Sequence, residues 1–159
     1  MRLTVLLFLS LLFFSCKTQK NNSKCILKKK MQIEATILKA QLVNSSSDFS
    51  TKEIDSDLIS ILDAKIIDNK LHLNVSYSGG CNKHDFKIIG DSLISKSLPP
   101  IRSVKLIHYA NNDKCRELIF DNLIIDIREL AYKKQSGSEI YLRINGWDKR
   151  LLYTFQENE

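Results

Sequence analysis

Asp68-Asn69-Lys70-Leu71-His72-Leu73-Asn74-Val75-Ser76 alternates apolar and polar side chains directly after a two-residue turn signal. Strict alternation places Leu71, Leu73 and Val75 on one buried face of a strand and turns His72 to the other. Leu58 to Ile67 precedes the Asp68-Asn69 turn, so the two runs are predicted to form a β-hairpin. Further short extended segments follow. Phe86 to Ile89 leads through a turn at Gly90-Asp91-Ser92 into Leu93 to Ser95, and Pro99-Pro100 then interrupts regular pairing. Val104, Leu106 and His108 alternate with Lys105, Ile107 and Tyr109 in a strand covered on both faces. Asn111 to Lys114 reads as a turn, Arg116 to Leu123 as a strand, Asp126 to Tyr132 as a short helix, and Lys133 to Ser138 as a polar loop. Ile140, Leu142 and Ile144 are answered after Asn145-Gly146 by Leu151, Tyr153 and Phe155, a second hairpin. The expected fold is mainly β: a single-domain β-sandwich or partly open barrel with one or two short helices. Residues 31–43 fit helix and strand equally.

The N-terminus carries an address. Met1-Arg2 precedes an unbroken apolar run from Leu3 to Phe14, and Ser15-Cys16 precedes the polar stretch Lys17 to Lys24. A basic residue, about a dozen apolar residues and a small residue at the cut are the parts of a secretory signal. The run is shorter than the roughly 20 apolar residues of a membrane-spanning helix. With Cys16 at the cut, the segment resembles a bacterial lipoprotein signal, which implies acylation of Cys16 and anchoring to a lipid bilayer. The expected organisation is a signal peptide at 1–15, a lipidated polar tether at 16–30 and one β-rich domain at 31–159. In lipoproteins of this kind the residue after the cysteine influences sorting. Lys17 lacks the acidic character that goes with inner-membrane retention, which points to the outer membrane, facing the periplasm.

The net charge of +6 is dispersed among acidic residues except at Lys28-Lys29-Lys30 and Lys133-Lys134, so it reads as a solvated face rather than a nucleic-acid surface. The expected partners are the bilayer and an envelope protein or glycan. Export also changes the cysteine problem, because an oxidising compartment favours disulfides. With Cys16 acylated and Cys25 in the tether, Cys81 and Cys115 are the preferred pair. Closing a loop of about 35 residues contributes roughly 4 kcal/mol on the chain-entropy estimate.

Two clusters surround those cysteines: Ser78-Gly79-Gly80-Cys81-Asn82-Lys83-His84-Asp85-Phe86 and His108-Tyr109-Ala110-Asn111-Asn112-Asp113-Lys114-Cys115. A disulfide brings the loops together and makes His84, Asp85, His108 and Asp113 candidates for one polar surface. Gly79-Gly80-Cys81, His84-Asp85-Phe86, His108, Asp113-Lys114-Cys115 and Phe120-Asp121-Asn122-Leu123 form a pattern over residues 60–155. It resembles that of a group of small, mostly uncharacterised bacterial lipoproteins. The resemblance implies a secreted β-rich domain and carries no activity with it.

Three chemistries compete for these residues. In a structural reading the glycines allow positive φ or close backbone approach, while the polar side chains satisfy nearby backbone groups. A zinc reading takes Cys81, His84, His108 and Cys115 as ligands and requires reduced thiols. A catalytic reading needs a Cys81 thiolate beside His84 or His108 with a third orienting group, and no such group is identified. No cofactor or phosphate-binding motif is present, and the chain reads more as a binding or structural protein than as an enzyme. Trp147 reads either as a stacking platform for a ligand or, preferably, as a cover over the final hairpin.

Overall fold

The computed structural model describes residues 37–43 and 55–157. The segments expected from sequence as signal peptide and tether, with Cys16 and Cys25, and residues 31–36 lie outside the described residues. Nine strands are found among those described: β1 (Leu38–Lys39), β2 (Gln41–Val43), β3 (Ser60–Ile67), β4 (Lys70–Gly79), β5 (Asp85–Ser95), β6 (Ile101–Tyr109), β7 (Glu117–Asp126), β8 (Glu139–Ile144) and β9 (Arg150–Thr154). They form two mixed sheets, ordered β1-β7-β4-β3 and β2-β5-β6-β8-β9, packed as a sandwich and not closed into a barrel. The described part of the ambiguous segment is therefore strand. β1 pairs in parallel with β7 of the first sheet, and β2 pairs in parallel with β5 of the second. Ala40, buried between them, donates its N–H to the Asp126 carbonyl at 2.9 Å.

The alternation in β4 places Leu71, Leu73 and Val75 in the core at 0% exposure. β3 and β4 pair antiparallel with Ile67 opposite Lys70, and the turn between them puts Asp68 at φ 53°. The final hairpin is equally regular, with Ile140 opposite Tyr153 and Leu142 opposite Leu151. In β6, Val104, Leu106 and His108 face the main core, while Ile107 is buried on the opposite face with Ile89 and Val43.

Two expectations need correcting. Asp126 to Tyr132 forms no α-helix: Asp126 ends β7, paired with Lys70 and Lys39, and only Arg128–Leu130 makes a 3₁₀ turn. Ile127 and Leu130, both at 0% exposure, plug the core there, so tertiary burial overrides helix propensity. Gly90-Asp91-Ser92 is no chain-reversing turn, since β5 runs through it with a register shift between Gly90 and Ile94. Buried Arg102 braces that irregularity. Its guanidinium donates to the carbonyls of Leu130 at 3.0 Å, Ala131 at 3.4 Å and Asp91, tying the bulge and the 3₁₀ turn to β6.

Candidate functional site

Three chain segments meet at one end of the sandwich: the β4–β5 loop, the β6–β7 loop and the stretch leading into β3. Cys81 and Cys115 are joined by a disulfide, with Cα atoms 5.8 Å apart. Gly80 enters its loop at φ 115°, a conformation that favours glycine, and Asn111 and Asn112 take φ 51° and 58° in the opposing turn.

Asp113 is the hub of this end. Its Oδ2 accepts the backbone N–H of Cys81 at 2.9 Å and of Asn82 at 2.8 Å, and its Oδ1 accepts that of Cys115 at 2.8 Å. One carboxylate therefore holds the backbone on both sides of the disulfide. Those N–H groups, Asn82 foremost, together with His84, hold the Asp113 carboxyl well below the usual carboxylate range against the opposing effect of desolvation.

A line of contacts runs inward from Asp113. Its Oδ2 lies 3.2 Å from Nε2 of His84, with both side chains almost fully enclosed. Nδ1 of His84 lies 2.7 Å from Nε2 of His108, and Nδ1 of His108 lies 3.2 Å from the Leu58 carbonyl. The rings sit in an aromatic box. Tyr77 packs at centroid distances of 4.7 Å from His84 and 4.9 Å from His108, while Phe86 stacks on His108 at 5.2 Å. The Tyr77 hydroxyl donates to Asp121 at 3.4 Å. Burial, followed by the charge of His84, lowers the pKa of His108.

His108 also fixes the stretch before β3. Its backbone N–H donates to Ser56 Oγ at 3.1 Å, its carbonyl accepts the Asp57 N–H at 2.9 Å, and Asp57 Oδ2 accepts the Ala110 N–H at 2.7 Å.

Of the residues singled out from sequence, His84, His108, Asp113, Cys81 and Cys115 come together. Asp85 does not join them: it is exposed and accepts from Asn111 at 2.8 Å. The four-ligand zinc set is not assembled. The cysteine sulfurs are bonded to each other, and the ring nitrogens of His84 face Asp113 and His108. Among the described residues, Cys81, Asp113 and Cys115 cluster with ligand atoms within 4.8 Å. Two of these atoms are disulfide sulfurs, and the carboxylate already accepts three N–H groups, so the donor set does not suit a cation. The Cys81 nucleophile considered from sequence has no thiol in this arrangement.

Trp147 lies on the β8–β9 turn, packed against the core, and lines a groove of about 540 Å³ with Ser103, Lys105 and Arg143. Its Nε1 is enclosed with no hydrogen-bond partner among the described residues, while Lys149 Nζ lies 6.0 Å from the ring centroid.

Solved structures with related architecture include a NigD-like immunity protein from Bacteroides caccae, at TM-score 0.51 and 16% identity over 67% of this chain and 52% of that one. Two others are a protein described as toxin-related from Parabacteroides distasonis (0.47, 14%, 74% and 61%) and a protein of unknown function from Bacteroides vulgatus (0.46, 15%, 77% and 57%). The likeness is one of fold. The chain spans 52% to 61% of the length of these structures. No family model matches it, and no curated protein matches its sequence.

Tyr77, Ser56, Asp57 and the Leu58 carbonyl were not singled out from sequence as parts of the site. For Tyr77 a signal existed: the alternation Leu71, Leu73, Val75 carried one step further puts Tyr77 on the same inward face. The Leu58 carbonyl had none, because its partner lies 50 residues away in the chain.

Proposed function

We propose that this chain is an exported, lipid-anchored envelope protein whose sandwich domain binds another envelope component. The observation that carries the reading is the Cys81–Cys115 disulfide, embedded in a domain that follows a lipoprotein-like signal. A disulfide seated on a buried carboxylate suits an oxidising compartment and not the cytosol. Acylation at Cys16 supplies the anchor, and the basic tether at Lys28-Lys29-Lys30 adds attraction to anionic headgroups. A binding role is supported by how the polar groups are used: the side chains that resemble catalytic parts are engaged with one another in the interior. It is also supported by the fold shared with the Bacteroides caccae protein, described as an immunity protein.

The test compares wild type with Cys16→Ser in cells fed a labelled fatty acid. Label and membrane retention are expected in wild type and lost in the variant. Equal labelling and equal retention would overturn the anchor. Crosslinking of the anchored protein in whole envelopes, followed by mass mapping, then identifies what it holds.

A further inference from the structure

The line from Asp113 to Leu58 has two ends that can only accept hydrogen bonds. Asp113 is a carboxylate and Leu58 offers a carbonyl, so Nε2 of His84 and Nδ1 of His108 must each carry a hydrogen. Between the rings, Nδ1 of His84 and Nε2 of His108 stand 2.7 Å apart, a separation that needs a hydrogen between them. Three hydrogens are thus required on four ring nitrogens, whereas two neutral imidazoles bring only two.

We propose that His84 and His108 jointly bind one proton, as a buried hydrogen-bonded monocation facing Asp113, and that this proton site couples the disulfide-bonded end of the sandwich to pH. Neither neighbouring protonation state satisfies the geometry. Without the proton, one of the three contacts is lost. With a second proton, two N–H groups point at each other across the 2.7 Å gap. Burial is the first cause that lowers the affinity of His108 for a proton, and the charge of His84, which opposes a second proton on the pair, is the next.

The titratable groups around the pair fit a single positive charge. Asp113 faces it from the β6–β7 loop, and Asp57 faces His108 from the stretch before β3. Tyr77 of β4 lies against both rings, its pKa raised by burial and then by Asp121 of β7, so the phenol stays neutral. Phe86 of β5 brings no charge, Asp85 is turned outward to Asn111, and Glu117 of β7 lies beside Gly80.

The sign of the pH dependence follows from counting protons. The folded pair holds one. The unfolded chain holds two well below the ordinary histidine pKa of about 6.5 and none well above it. Below that pH the unfolded state binds one proton more, so stability rises with pH. Above it the unfolded state binds one fewer, so stability falls. The contribution of the pair therefore peaks near pH 6.5, changing the folding constant at most about tenfold per pH unit on either side.

The experiment is urea unfolding of the full, oxidised chain from pH 4.5 to 8.5, for wild type and for H84Q/H108Q. The difference between the two stability curves is expected to rise and then fall, with limiting slopes of one proton on each side. A flat difference, or one sloping in a single direction, overturns the proposal. Should the variant fail to fold, nitrogen-15 spectra of the histidine rings in wild type at pH 6.5 decide the matter. Protons on Nε2 of His84 and Nδ1 of His108 together with a shared third are expected; two neutral rings or two fully charged ones would refute it.

Discussion

An alanine methyl at position 79 would lie 2.5 Å from Cε1 and Nε2 of His84 and 3.1 Å from Asp113 Oδ2. The His84 ring cannot swing away, because both its nitrogens are engaged. Gly79→Ala is therefore expected to destabilise the fold by about 1–3 kcal/mol through overpacking alone. A lowered urea midpoint with an unchanged denaturant slope checks it; a midpoint equal to wild type would mean that the ring is not locked. The glycine pair, the histidines and Asp113 could be picked out from sequence because such residue types rarely crowd around two cysteines without a shared task. Which neighbours they choose could not. Asp85 and Asp113 looked equivalent, yet Asp85 opens β5 on the exposed side whereas Asp113 follows two positive-φ asparagines that turn its side chain inward.

Strands and turns carry a second polar clasp, far simpler in sequence than in space. Asn69 reads as half of a turn, but its Oδ1 accepts the Tyr153 hydroxyl at 2.8 Å and the Gln156 N–H at 3.1 Å, while its Nδ2 donates to the Gln156 carbonyl at 2.7 Å. The β3–β4 turn of one sheet thus grips the chain end of the other. Asn69→Ala should cost about 2–4 kcal/mol, since it leaves a buried hydroxyl and two backbone groups unpaired. Adding Tyr153→Phe should then cost less than it does in wild type, because the stranded hydroxyl is already without a partner; strict additivity in thermal or urea unfolding would count against the clasp. Alternation made the hairpins legible, since every second side chain faces the core. It could not reveal the 3₁₀ turn, where Ile127 and Leu130 stay in the core and the preceding Asp126 remains in the sheet. Nor could it reveal the bulge, whose shape depends on Arg102 reaching three carbonyls from β6.

Order along the chain and order in space part company at β4–β7 and β6–β8, and over the longest span at residues 37–43, where β1 pairs with β7. The hairpins β3–β4, β5–β6 and β8–β9 join neighbours, but β1 finds its partner in β7 and β2 in β5. Long-range parallel pairing of this kind closes large loops and forms late. Pulse-labelled hydrogen exchange during refolding should protect the hairpin amides first and the pairing amides of β1 and β2 last; simultaneous protection would contradict this order. A chain made from its N-terminus therefore produces its latch first and can fasten it only after Asp126 has been added. Until then the seam that Ala40 will fill stands open to water, and whatever holds the chain between synthesis and folding must shelter that seam.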